Sequence, residues 1–298
     1  MKKNPELSIV ILSYNTKDIL IDCLNSLEKI KNEVNFEVIV VDNGSTDGSV
    51  EAINNLKSKI NNLKLVCNAD NLGFAKGNNS ARIHIKTKYV LFLNSDTLVK
   101  KDSLKLTLDY LKSHKNVGAI TCRVKLQSGE DDPDTRRSFP TPWVALTHFS
   151  KLDRAFPNIR FLSNYWIKTH PDKLQEIEVL QGAFAMIPKS VLDKIGWFDE
   201  SYFLDGEDID LCWKIKQRGL KIVYHPDASI THLKGASKGK KGSKDFRTRL
   251  KSVLSGLNSM EIFYKKRLWN KYPLIVNWMV IAGINFLKSL RLIKLLLS

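Results

Sequence analysis

Acidic side chains crowd one short stretch of the chain, YFLDGEDIDLCWKIKQRG between Tyr202 and Gly219. Leu211, Cys212, Ile215 and Leu220 recur at helical spacing, and Asp208 precedes the first three by three, four and seven residues. That spacing puts Asp208 on the inward-facing stripe of a helix. A carboxylate aimed into a protein can take a proton from a reacting hydroxyl, with Glu207 beside it. The same residues also fit a bland reading: Asp205 followed three residues on by Asp208 resembles a capping box, and acids in a first turn suit the helix dipole.

Four further polar clusters each follow an apolar run. Ser13, Tyr14 and Asn15 follow residues 7–12, and Asp42 opens DNGSTD after residues 36–41. Asn71, Gly73, Lys76 and Gly77 lie in NADNLGFAKGNN after residues 63–66, and Asn94 to Asp96 follow residues 89–93. A carboxylate at Asp42 can accept the imide N3–H of uracil or thymine, or it can close an Asx turn. Asn71 is positioned to cap a helix whose glycines and amides suit a ribose and diphosphate. Asp96 sits after the most apolar run, where a hard cation bridging to phosphate would offset the cost of burying its charge; a turn or cap Asp is the alternative. His232 ends the run ASITH, either as a satisfied strand-end histidine or as a ligand beside Asp96.

The elements that must carry these clusters alternate. Strand-like runs at 7–12, 36–41, 63–66, 89–93 and 117–121 are separated by helical periodicity, which implies a parallel α/β sheet covered on both faces. Ligands bind outside the carboxyl ends of such strands, so the clusters should share one rim. Residues 123–178 hold five prolines and no long periodic run, and read as loop-rich. A strand at 179–188, the acid-bearing helix, and strands in KIVYHP and ASITHL follow. After Leu233 comes a basic linker, then helices at about 245–269 and 274–297.

Composition is that of a folded protein, with 43% hydrophobic and 26% charged residues in 298. The net charge of +16 is concentrated at the end: from Lys234 onward there are fifteen Lys or Arg and two acids. Because the apolar run at 274–287 accompanies that charge, a membrane surface is the expected partner rather than nucleic acid. At 14 residues the run falls short of the roughly 17–25 needed to span a bilayer, so it should lie in the interface. Docking of its apolar face on the catalytic body or on a second subunit is the alternative. Cys23, Cys67, Cys122 and Cys212 lack metal or redox spacing and read as reduced thiols in a cytoplasmic compartment. The N-terminal apolar run is a buried strand, too short for a secretory leader.

Taken together, SIVILSYN, VVDNGSTDGS, NLGFAKGNN, FLNSD, GAFAMIP, GWFDESYFLDGEDIDLCWKIKQRG and THLKGAS resemble, in order, the inverting glycosyltransferases of family 2 with the GT-A fold. The likeness is to the rhamnosyltransferase-like branch of bacterial cell-envelope glycan synthesis. It implies a catalytic domain over 1–233, with a nucleotide-binding half at 1–122 and an acceptor-binding half at 123–233, and a helical extension over 234–298. The implied donor is a dTDP- or UDP-sugar, rhamnose or similar, and the implied acceptor a glycan or lipid-linked hydroxyl at the cytoplasmic face of a membrane. Ser13, Tyr14, Asn15, Asp42, Asn71, Gly73, Lys76, Asn94 and Asp96 would hold the donor. Asp96 and His232 would hold Mg or Mn, Asp208 would be the base, and Glu207 would assist it. The family's D-x-D motif stands here as Asn94-Ser95-Asp96, with only its last acid.

Other classes leave other signatures. A nucleotidyltransferase would need a basic residue over the triphosphate near the first strand, where Lys17 is the candidate. A processive polysaccharide synthase would carry spanning helices and a Gln-x-x-Arg-Trp motif, and the sequence has neither. A non-catalytic module binding lipid or nucleic acid would explain the basic tail but not the acids along the rim. The irregular segment holding Arg136, Arg137, Trp143 and Trp166 is expected to read the acceptor.

Overall fold

The structure, a computed structural model, describes residues 4–57, 60, 62–156, 158–159, 161–162, 165, 170–233 and 246–296. Its first half is built from four strands, of which β1 (Leu7–Ser13), β2 (Phe36–Asp42) and β4 (Tyr89–Asn94) are buried along most of their length, while β3 (Leu63–Cys67) lies at the half-exposed edge. These pair in parallel in the order β3-β2-β1-β4. Helices α1 (Lys17–Lys29), α2 (Ser49–Leu56) and α3 (Phe74–Asn79) form the crossovers. In α1, Leu20, Cys23, Leu24 and Leu27 are buried at helical spacing, which is why this segment folds as an amphipathic helix on the sheet.

The second half mixes directions. It comprises β5 (Thr97–Val99), α4 (Ser103–Ser113), β6 (Val117–Leu126), α5 (Pro142–Phe149), α6 (Leu152–Ala155), β7 (Gln175–Ile177), β8 (Phe184–Pro188), α7 (Lys189–Ile195), α8 (Glu207–Gln217) and β9 (Lys221–His232). The nine-stranded sheet continues β4-β8-β6-β9-β5, with β7 also on β9. β8 runs antiparallel between β4 and β6. One apolar layer under α1, α2 and α4 covers one face, and a second under α3, α7 and α8 covers the other.

Several expectations change. The strand expected at 179–188 is confined to Phe184–Pro188, and residues 179–183 lead into it along the site. KIVYHP and ASITHL form the single strand β9, whose pairing with β6 jumps from His225↔Cys122 to Ser229↔Arg123, so Pro226, Asp227 and Ala228 form an irregularity. The loop-rich segment contains β7, α5, α6 and a 3-10 turn at Pro133–Thr135. Thr141 caps α5 through Val144 N at 3.4 Å, with Pro142 in the first turn. Trp166 and the basic linker lie outside the described residues.

The chain closes with α9 (Phe246–Phe263), a π turn (Tyr264–Leu268), a 3-10 turn (Trp269–Lys271) and α10 (Leu274–Leu296). Phe263, Tyr264 and Leu268 complete the apolar layer under α8.

Candidate active site

The carboxyl ends of the parallel strands form one rim, with Ser13 in register with Asp42, and Asn94 with Leu12. Ser13 Oγ meets Thr16 Oγ1 at 2.9 Å, which in turn donates to Ser95 Oγ at 3.3 Å. Asn15 takes a left-handed conformation (φ 53°), in which its N–H donates to Ser45 Oγ and its Oδ1 accepts from Thr46 N at 2.9 and 2.8 Å. Tyr14 is left exposed beside them. Asp42 is buried; its Oδ2 accepts from Ser45 N at 2.9 Å, and its Oδ1 has no partner. It therefore closes the turn and still presents one acceptor atom.

Asn43 binds the next loop to this rim. Its Nδ2 donates to Asn71 Oδ1 and Gly73 O, and its Oδ1 accepts from Asn68 Nδ2 and Leu72 N. Asn71 does not cap α3: its Oδ1 is spent on Asn43 and Gly73 N. Gly73 holds φ +81°, and a Cβ there would stand 2.3 Å from Phe203 O. The first amide of α3, Phe74 N, donates to that carbonyl at 2.7 Å. This close approach of loop 199–206 is what requires glycine at position 73. Lys76 is exposed in the six-residue α3.

Asp96 and His232 meet because β5 pairs with β9, with Thr97 opposite His232 and Leu233 N donating to Asp96 O at 2.8 Å. His232 Nε2 lies 3.1 Å from Asp96 Oδ1, and Nδ1 lies 3.7 Å from Asp132 Oδ2. At that distance Asp132 acts on the ring by charge. Burial lowers the His232 pKa, but Asp132 and Asp96 overcome it and raise it to about 9. Asp132 Oδ2 also accepts from Gln181 Nε2 at 3.1 Å. The residue after Gln181, Gly182, donates its N–H to Asp208 Oδ2 at 3.3 Å. One chain of contacts thus joins Asp96, His232, Asp132, Gln181 and Asp208.

Asp208 stands in the first turn of α8, whose cap is Gly206 in the left-handed conformation (φ 86°). The capping-box reading fails, because Asp205 (φ 65°) turns its carboxylate to Ser255 Oγ in α9 at 3.0 Å. Asp208 Oδ2 accepts from Arg137 Nη2 at 2.5 Å as well as from Gly182, and Oδ1 accepts from Ile209 N at 2.8 Å. A carboxylate has about four lone-pair sites, so one remains on Oδ1. Burial would lower the Arg137 pKa, but the charge of Asp208 raises it. Burial first, and then the charge of Asp208, push the Glu207 carboxyl well above its usual range. Glu207 Oε2, Gln181 Oε1, Arg137 Nε and His232 Nδ1 are, like Asp42 Oδ1, buried without hydrogen-bond partners. Orphaned polar atoms gathered in one place are costly unless a ligand answers them.

Among the described residues no three His, Cys, Asp or Glu side chains form a metal cage. Asp96 and His232 nonetheless fit one ion as a pair. Two ligands at about 2.1 Å and at right angles lie about 3 Å apart, close to the 3.1 Å observed. Such an ion takes its remaining ligands from phosphate and water. Asp132, Gln181 and the pairing role of Arg137 were not singled out from sequence.

The sheet order and the acid-lined rim define a GT-A type α/β fold. The family model "Glycosyltransferase like family 2" matches residues 5–250, and the chain belongs to that family. It is 23% identical over 234 residues to poly-beta-1,6-N-acetyl-D-glucosamine synthase of Staphylococcus aureus (strain MSSA476), covering 76% of this chain and 51% of that protein. It is 26% identical over 191 residues to rhamnosyltransferase WbbL of Escherichia coli (strain K12), covering 61% and 68%. The chain spans about half the length of the first of these. The mannosyltransferase PcManGT of Pyrobaculum calidifontis, solved with GDP-Man and Mn2+, shares the fold at a TM-score of 0.61 and 19% identity, covering 99% of this chain and 74% of that one.

Proposed function

We propose that the protein transfers a sugar, rhamnose or similar, from a dTDP- or UDP-sugar to a hydroxyl of a glycan or lipid-linked acceptor, with inversion at the anomeric carbon. The observation that carries this reading is the continuous contact chain from Asp96 and His232 through Asp132 and Gln181 to Asp208, on the same rim as the free acceptor atom of Asp42. Family membership and the two relatives named for sugar-polymer and rhamnosyl chemistry support it.

In the reaction the acceptor oxygen forms a bond to the anomeric carbon while the bond from that carbon to the diphosphate breaks. Asp208 Oδ1 has the vacant lone pair that takes the hydroxyl proton. Arg137 and Gly182 fix its other oxygen and so orient the carboxylate. Glu207, its carboxyl pushed above the usual range by burial and then by the charge of Asp208, stands beside it and assists at the acceptor. Asp42 Oδ1 accepts the imide N–H of the base. Mg or Mn, held by Asp96 and His232, supplies Lewis-acid neutralisation of the leaving diphosphate when bound. A single displacement calls for no covalent sugar-enzyme species.

The test is calorimetry and transfer assay with dTDP-rhamnose and UDP-N-acetylglucosamine, with Mn2+ and with a chelator. Metal-linked binding of one donor is expected, abolished in Asp96→Ala and weakened less in His232→Ala, because only the carboxylate brings charge to a hard cation. Donor binding of equal strength with and without metal removes the metal assignment. Absence of transfer from every pyrimidine nucleotide-sugar removes the reaction.

A further inference from the structure

The last helix is held to the body by a mixed face, on which Val280, Ile281 and Ile284 join the apolar layer beside buried polar groups. Asn277 is 1% exposed; its Oδ1 accepts from Tyr264 Oη at 2.6 Å and its Nδ2 donates to Trp269 O at 3.0 Å. Lys288 Nζ reaches Glu261 Oε2 at 2.5 Å, and Arg291 Nη1 reaches Val253 O at 3.0 Å. The apolar side is turned to solvent, with Ile275 at 70%, Trp278 at 67%, Met279 at 61%, Phe286 at 64% and Ile293 at 54% exposure. At 3.6 residues per turn these five share an arc of about 100° opposite Asn277 and the buried Ile284. A surface helix usually carries charged and polar residues on the side opposite its buried one, and a bare apolar stripe there marks an interaction surface. The body does not cover it, because the body already holds the other side.

We propose that α10 docks this stripe into an anionic lipid surface, lying flat in the headgroup layer. Charge decides between lipid and a second copy of the chain. α10 contains no Asp or Glu; Lys288 and Arg291 are held by the body, while Lys294 lies exposed at the flank of the stripe near one end and Lys271 precedes the other. Two copies packed stripe to stripe, parallel or antiparallel, would set cationic ends against one another with no carboxylate from α10 to answer them. Anionic headgroups answer both ends at once, and lysines flanking an apolar face reach them by extending along it. Among the described residues no helix is long and apolar enough to cross a membrane. At 23 residues α10 lays about 34 Å of helix along the interface instead.

The experiment is flotation of the full chain with phosphatidylcholine vesicles with and without phosphatidylglycerol, alongside its oligomeric state by light scattering. Binding is expected only with phosphatidylglycerol and should weaken with added salt. Trp278→Ser combined with Phe286→Ser should lower partitioning about tenfold or more, and Lys294→Glu should lower it on anionic vesicles. Both variants replace exposed side chains and should keep the parent melting temperature, which controls for misfolding. The proposal is overturned if the parent does not float, if the Trp278/Phe286 variant floats equally well, or if Phe286→Cys forms a disulfide-linked dimer in the absence of lipid.

Discussion

Asp208 and Glu207 are neighbours in the chain and opposites in their surroundings. The first has Arg137 and two backbone N–H groups on its oxygens; the second has a buried Oε2 with no partner. Asp208→Asn should therefore leave donor binding intact and reduce transfer by about 10²- to 10⁴-fold, which single-turnover kinetics with bound donor would show. For Glu207 the folded pKa lies above the unfolded value, so the folded chain holds a proton that the unfolded chain gives up. Stability from this group is lost as pH rises from about 4.3 through the folded pKa. Glu207→Gln removes that loss. The variant should match the parent in melting temperature near pH 4 and exceed it near pH 8, as measured by calorimetry across that range.

At the scale of elements, α8 is held from the side opposite the sheet. Arg267 pairs with the fully buried Asp210 through Nε at 2.6 Å and Nη2 at 3.1 Å. Lys271 Nζ lies 4.3 Å from the Trp213 ring centroid, and Phe263 packs edge-on to that ring at 5.6 Å. Arg267→Ala leaves the buried Asp210 charge to Lys214 at 3.7 Å and the Tyr202 hydroxyl at 3.4 Å, a loss of about 3 kcal/mol. Chemical denaturation should show that loss. Because Asp210 shares the first turns of α8 with Asp208, turnover should fall more than donor affinity, and Arg267→Lys should restore part of both. None of this was legible in the sequence, where the basic tail read as a separate extension. The parallel half was legible, since β1 and β2 are runs of buried residues with helical periodicity between them. Asp96 and His232 do lie side by side, but β5, the element that brings them together, is three residues long and leaves no period to read. Asp132 and Arg137 come from aperiodic chain, and they and Gln181 meet partners at least 43 residues away. Local pattern carries no trace of such contacts.

Across the whole molecule, the helical extension and the sheet share one apolar layer, with Phe263, Tyr264 and Leu268 packed among residues of α8 and β9. Truncation after Leu233 should therefore not release an independent catalytic domain. Loss of these contacts and of the Arg267 pair is expected to lower the melting temperature by roughly 10 °C or more; a truncated chain that melts with the parent would show that the two parts are separable after all. The sheet holds a subtler dependence in β9. Ile222 and Tyr224 point into the layer under α8, yet Ala228 and Ile230, of the same parity, point into the layer under α1 and α4. The irregularity at residues 226–228 inverts the phase of the strand, so its two ends are rulers read from opposite sides. His232 inherits the second phase, and only in that phase does its ring face Asp96. Without that irregularity, unbroken alternation would carry the phase of Ile222 and Tyr224 to the end of the strand. Lys221 to Tyr224 would keep their place beside α8, while the imidazole would turn to the far side of the sheet and leave Asp96 to meet its charge alone.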